Sequence, residues 1–398
     1  MSSRSKIPIL DLPAQYETIR DEVRAAVDEV LETQQFILGP LVSRFETQMA
    51  QYLGCPHAAG VASGSDALLL ALMALNIGPG DGVIVTPFTF FSTVSSITRL
   101  GAMPLFVDIE SDDYLLSVES TSRFLSQRAR CENGAAVDIR TGLRIRALLP
   151  VHLYGQCCAM EDFLRIAQNF DLRIVEDVAQ ACGARTTIGG AKRFAGALGD
   201  FGCFSFFPSK TLGGCGDGGL LTTANPEMAA KIKTLRMHGE SRKYHHQLIG
   251  INSRLDALQA AVLGVKQRYL ETWCEQRIIR AQTYHRLFTR SGLVAADGVI
   301  AIPPPVCDKT HVFNNYVVRV KRRDELRDFL AQRSIQSEVY YPLPLHLQEC
   351  FAGLGYKKGD FPVAELAANQ VLALPLFPEL TDGQQAFVVE SIQAFFNR

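Results

Sequence analysis

Hydrophobic positions along this chain follow two alternating periods. Between Tyr16 and Thr33, Ile19, Val23, Val27 and Leu31 recur at helical spacing and predict an amphipathic helix. The run Ala67–Leu75 (ALLLALMAL) is apolar on every face and predicts a buried helix. Short apolar runs follow at Val83–Thr86, Met103–Asp108, Arg146–Val151, Leu172–Glu176, Phe201–Phe206 and Gly219–Thr223, and each reads as a strand. Helical segments separate them. Strands alternating with helices make βαβ units and a mainly parallel sheet, with ligands at the strands' C-terminal ends.

The rest of the chain changes character twice. Cys131–Thr141 (CENGAAVDIRT) is polar and glycine-bearing and reads as a surface loop. Ser253–Arg280 is helical and long. After His311, the segments VFNNYVVRVK, RDELRDFLAQRS and QSEVYYPL predict strand, helix, strand. The expected fold class is α/β, with a large domain over residues 1–265 and a smaller C-terminal α/β domain over 266–398.

Composition narrows the function. Lys and Arg number 40 against 41 acids, a formal net charge of -1, so nothing points to a nucleic-acid partner. The longest apolar run is far short of a membrane span. The apolar stretch of four residues near the N-terminus, IPIL, is too short for a secretory signal, so a cytoplasmic protein is expected. The 10 cysteines are scattered without a C-x-x-C pair; they read as small buried hydrophobes, and no metal site is expected.

Five segments carry candidate chemistry. In Phe204–Gly219 (FSFFPSKTLGGCGDGG), Lys210 lies among aromatics and small residues, where desolvation makes an amine nucleophilic. A Walker-type phosphate loop is excluded, because Ser209 stands where that motif needs glycine. An ordinary surface lysine at a turn is the alternative. In Arg173–Ala184 (RIVEDVAQACGA), Asp177 ends an apolar strand and either faces a ligand or caps the next helix. Ala62–Leu72 (ASGSDALLLAL) places small polar residues before a helix, a phosphate-binding or a plain capping arrangement. In Thr86–Thr93 (TPFTFFST) an aromatic either stacks on a ring or fills the core. In Tyr244–Leu263 (YHHQLIGINSRLDALQAAVL), His245 and His246 are a poor metal pair, and Asn252 and Arg254 precede an apolar helix.

In combination and order, these blocks and YYPLPLH resemble the sugar aminotransferase family named for DegT, DnrJ, EryC1 and StrS, from Ile9 to about Leu374. The resemblance implies an aspartate-aminotransferase-like (fold type I) enzyme that binds pyridoxal 5'-phosphate (PLP) and works as a homodimer with shared active sites. It implies that Lys210 forms the Schiff base and shuttles the proton, and that Asp177 pairs with the pyridine nitrogen. By the same matching, Gln180 touches the cofactor's 3-oxygen, where many members have His. Phe90 stacks on the ring, and Gly64, Ser65 and Ser205 hold the phosphate. Asn252 reaches that phosphate from the neighbouring subunit. Substrate contacts are expected from Tyr244, His245, His246, Arg254, Tyr341 and His346. A dehydratase branch has His in place of the lysine, so Lys210 favours transamination. RKYHHQLIGINSRLDALQAAVL and GQCC after Tyr154 are most similar to members acting on 3-keto nucleotide sugars. The implied partners are L-glutamate and a UDP- or dTDP-keto sugar, in amino-sugar synthesis for surface polysaccharide, O-antigen or glycosides. Amination at C4 and a non-catalytic regulatory or scaffold role are the competing readings.

Overall fold

The computed structural model describes residues 6–132, 134–294, 298–304 and 310–397. Eleven strands fall in the first part of the chain. They are β1 (His57–Val61), β2 (Asp81–Val85), β3 (Met103–Phe106), β4 (Ala129–Glu132), β5 (Ala135–Asp138), β6 (Arg144–Leu149), β7 (Arg173–Asp177), β8 (Arg185–Ile188), β9 (Ala191–Phe194), β10 (Phe201–Ser205) and β11 (Gly219–Thr223). Nine of them form one sheet, ordered β1-β11-β10-β7-β6-β2-β3, with β5 and then β4 attached beside β6. β10, β7, β6, β2 and β3 run parallel, while β11 is antiparallel to both its neighbours. β2 is buried throughout and β7 along Ile174–Asp177. Continuous apolar runs are what helices covering both faces of a parallel sheet require.

Four expectations change. Cys131–Thr141 is not a loop; β4 and β5 make an antiparallel hairpin that joins β6 through Val137 and Arg144. Its outer strand is exposed enough to show no alternation, which hid it from the hydrophobic pattern. The hairpin closes on Asp138, whose buried carboxylate accepts from Arg128 Nε (3.0 Å) and Thr141 Oγ1 (2.7 Å). QSEVYYPL is not a full strand either. Glu338 alone pairs with Ala373, and Pro342 and Pro344 supply no amide hydrogens beyond it. The long helix is two, Ala257–Gln267 and Leu270–Ser291. The first packs with Ile19 and Val23 of the N-terminal segment, through Val262 and Val265. That segment is itself split, into Leu12–Glu17 and Arg20–Thr33, and Leu31 is 47% exposed.

Two further strands, β12 (Glu240–Arg242) and β13 (His245–His246), form a small surface ribbon. The C-terminal part builds a second, antiparallel sheet from β14 (Ile300–Ala301), β15 (Tyr316–Val320) and β16 (Val371–Leu374). Its core gathers Tyr284, Phe288, Tyr316, Leu326, Leu372 and Ile392. Ile7 belongs to this core, and Ile7 N–H donates to Ser334 O at 2.9 Å. The N-terminal strand segment is therefore part of the small unit.

Candidate active site

A cleft of about 520 Å³ opens at the C-terminal ends of β7 and β10, between the two sheets. β7 fixes its floor by alternation, since successive side chains on a strand point to opposite faces. Glu176 points away from the cleft. Its carboxylate is fully buried and accepts from His152 Nε2 (3.0 Å) and from the N–H groups of Gly196 (2.8 Å), Leu198 (2.9 Å) and Gly199 (2.8 Å). Cys158 N–H donates to His152 Nδ1 (3.0 Å), so Nδ1 accepts and Nε2 carries the proton that faces Glu176. Asp177, the next residue, lines the cleft.

The Thr93 hydroxyl donates to Asp177 Oδ2 (2.8 Å) and Ala179 N–H donates to Oδ1 (3.1 Å). Burial pushes the Asp177 carboxyl above its ordinary range, against these two bonds and the positive charge of Lys210. Lys210 lies on the turn after β10, and Lys210 N–H donates to Phe207 O at 2.9 Å. Burial pushes its ammonium below the ordinary lysine range, and Asp177 opposes the shift. The shift favours the neutral amine, the form that acts as a nucleophile and a base.

At one end of the cleft the helix Gly64–Ala74 begins. The Ser63 side chain caps it by accepting from Asp66 N–H (3.1 Å), leaving the Gly64 and Ser65 amides at the helix start. Ser205, at the end of β10, packs so closely here that a Cβ on Gly64 would fall 2.6 Å from the Ser205 Cβ. Ser65 and Ser92 hydroxyls meet at 2.6 Å. Amides and hydroxyls converging at a helix N-terminus suit a phosphate.

On the opposite wall, Tyr154 N–H donates to Gln180 Oε1 (2.6 Å), and Gln180 Nε2 donates to the Tyr341 hydroxyl (3.0 Å). These bonds set the amide's orientation. Phe90 is largely exposed at the cleft, its ring 6.1 Å from that of Tyr341. The cleft thus brings together Gly64, Ser65, Phe90, Asp177, Gln180, Ser205, Lys210 and Tyr341.

Other expected residues lie elsewhere. Asn252 and Arg254 line a separate polar pocket with Asp256 and Gln259, which shares only Ser63 and Asp217 with the cleft. Tyr244, His245 and His246 are exposed on the β12–β13 ribbon, Tyr244 by 80%. His346 is not a cleft residue in this chain. It is buried against Phe361, and its Nε2 meets Glu365 Oε1 at 3.0 Å. The short turn that carries it, Leu345–Leu347, folds inward, so counting from YYPLPLH placed it wrongly. Thr93, Arg277, Asn314 and Asn315 were missed. Thr93 lies inside the quoted TPFTFFST block, but its partner Asp177 is 84 positions away, and no local pattern reveals that.

These residues fit PLP: an acid for a ring nitrogen, an amine opposite it, and an amide-rich phosphate end. The fold and the cleft define a fold-type-I enzyme, the class built on a mainly parallel sheet with a second α/β unit closing over the site. Residues 17–393 match the DegT/DnrJ/EryC1/StrS aminotransferase family, and the chain belongs to that family. The family's enzymes are PLP-dependent. The chain is 43% identical to the "Pleiotropic regulatory protein" of Geobacillus stearothermophilus, covering 98% of each. It is 38% identical to the UDP-N-acetyl-3-dehydro-alpha-D-glucosamine 3-aminotransferase of Acidithiobacillus ferrooxidans, covering 99% of each. The crystal structure of Streptomyces venezuelae DesV, in complex with a ketimine intermediate, superposes with a TM-score of 0.88. It is 38% identical, and 99% of each chain is covered.

Proposed function

We propose that this chain moves an amino group from L-glutamate to the C3 keto group of a UDP- or dTDP-linked sugar, in a ping-pong reaction. The observation that carries this reading is that Lys210 and the buried Asp177 line one cleft, each within reach of the other's charge, and that this cleft has a phosphate-binding end. Bound PLP would supply an electron sink, stabilising the negative charge left when a substrate C–H proton departs.

The chain's own residues do the rest. Lys210 Nζ would hold the cofactor and would serve as the base and acid that moves the substrate proton in both halves. Asp177, fixed by Thr93 and Ala179, would pair with the ring nitrogen of bound PLP and favour its protonated form. Gly64, Ser65 and Ser205 bind the phosphate, and Phe90 covers the ring. Gln180 and Tyr341 orient the opposite edge.

Asn252 and Arg254, one pocket away, would serve the second site of a homodimer. Support for that assembly is the apolar exposure near them, Ile37 in the pocket wall and Ile249 at 93%. Tyr244, His245 and His246 would then meet substrate only across the dimer. The product would be an amino sugar for surface polysaccharide, O-antigen or glycoside synthesis, made in the cytoplasm. A purely regulatory or scaffold role leaves the Lys210–Asp177 pairing without a purpose.

The deciding experiment is the visible spectrum of the PLP-loaded protein before and after L-glutamate. Loss of the yellow band with formation of 2-oxoglutarate is expected. A band that glutamate leaves unchanged would exclude glutamate as the donor.

A further inference from the structure

An ionised group taken out of water is costly unless something pairs with it. Arg277 breaks that rule. It projects from the helix Leu270–Ser291, is buried, and lines the end of the cleft where Asn314 and Leu376 meet Leu10. All its hydrogen bonds leave from Nη1, to the carbonyls of Phe313 (3.2 Å), Asn314 (3.5 Å) and Leu376 (3.0 Å). Its Nε is buried and has no partner. Among the described residues no carboxylate forms an ion pair with it. Glu379 feels its charge but makes no bond to it, and Glu379 Oε2 is itself buried and unpartnered.

The charges lining the cleft are few. They are Asp177, Asp217, Lys210 and Arg277. Two are anions and Lys210 is the reacting amine, so among the described residues that this chain contributes to its own cleft Arg277 is the cation left to meet an anionic ligand. The three carbonyls hold the guanidinium by Nη1. That leaves the Nε and Nη2 edge, the two-donor fork that accepts a carboxylate side-on.

We propose that Arg277 binds a carboxylate of the amino donor at the inter-domain end of the cleft. The inference rests on the aminotransferase reading above and adds to it the place of the donor. The donor's amine then points from Arg277 toward Lys210, and a carboxylate fills the role the fold leaves open. Arg277 is a binding residue in the first half-reaction. UDP and dTDP by themselves carry no carboxylate, so their binding does not require it.

The test uses the PLP-loaded full chain with Arg277→Gln and Arg277→Lys. Titration with L-glutamate, followed by loss of the visible band, gives a half-saturation concentration. Arg277→Gln is expected to raise it by roughly tenfold or more, the effect of losing a charged bidentate contact. Arg277→Lys is expected to recover part of the loss. Binding of UDP and dTDP, measured by calorimetry, is expected to stay within about twofold of the parent. An Arg277→Gln protein as sensitive to glutamate as the parent overturns the proposal. So does a protein that loses glutamate and nucleotide binding together, because that is the mark of a merely structural arginine.

If the parent's band ignores glutamate, the donor assignment fails on its own, and the titration is repeated with glutarate and read by calorimetry. Loss of glutarate binding in Arg277→Gln then upholds the carboxylate site. Equal binding, or no glutarate binding by the parent, overturns it.

Discussion

The Thr93 hydroxyl donates to the Asp177 carboxylate at 2.8 Å, reaching from the first turn of the helix Phe91–Thr98 to the end of β7. Burial of Asp177 favours its neutral acid, and this bond favours the carboxylate that a protonated ring nitrogen requires. Thr93→Val removes the donor and keeps the shape. Affinity for PLP is expected to fall by roughly tenfold, since a bond to a charged acceptor is worth about 1.5–3 kcal/mol. Equilibrium titration with PLP reads the change. An unchanged affinity would mean that Ala179 alone sets the charge.

Lys210→Ala removes the amine that holds the cofactor and moves the proton. Turnover is expected to disappear while the fold survives, because the side chain lines a cleft rather than a core. Circular dichroism checks the fold and product assay checks the turnover. Measurable turnover by this variant would sink the proposed chemistry.

At Gly64 the limit is space. An alanine Cβ there would lie 2.6 Å from the Ser205 Cβ, closer than such atoms approach. Gly64→Ala must part the helix start from β10 and so opens the phosphate end. Overpacking of this kind costs about 1–3 kcal/mol. PLP affinity is expected to drop by more than global stability does, and comparing the titration with a thermal melt separates the two.

Glu176 gives a stability prediction with no role for the ligand. Its two oxygens serve four donors, and Glu176→Gln turns an amide NH₂ toward one pair of them. A loss of about 2–5 kcal/mol is expected in urea unfolding of the cofactor-free protein. A loss below about 1 kcal/mol would show that the turn at 196–199 holds itself.

His311 makes the fold acid-sensitive. Burial lowers its imidazole from 6.5 to about 3. The folded state keeps it neutral while the unfolded chain takes up a proton, so stability is lost as pH falls from about 6.5 toward about 3. The slope is at most about 1.4 kcal/mol per pH unit. Phe313 N–H donates to its Nδ1 at 3.0 Å, a role the Asn side-chain oxygen can take. His311→Asn is expected to flatten the stability curve between pH 6 and pH 4, by roughly that slope. Unfolding curves at the two pH values decide the matter.

Much of this was legible before any coordinates. The strand runs around Val83 and Phe201 lie inside the sheet, because strands buried on both faces must be apolar throughout. Asp177 and Lys210 were legible as chemistry because each sits at the end of an apolar run. The β4–β5 hairpin was not, since an edge exposed to water carries no alternation. His346 was misplaced because spacing along a short turn does not say which way it folds. Arg277 was invisible for a different reason: in a helix of mixed polarity an arginine reads as solvated, and only tertiary packing makes it buried. In the dimer proposed above, the positions of Tyr244, His245, His246, Asn252 and Arg254 relative to a substrate would depend on a second chain, which one sequence does not place.

Ile7, among the first residues of the chain, is packed in the same core as Leu374 and Leu376, among the last. Ile9 O accepts from Leu376 N–H at 3.4 Å, and Ile9, Leu10 and Leu376 all wall the cleft. During synthesis Ile7 and Ile9 must therefore wait for Leu376. At about 5–20 residues per second, that interval is roughly 20–70 seconds. Until Leu376 has emerged the cleft has an open side, so a ribosome-bound chain shorter than that can form its large sheet but cannot yet hold a finished active site.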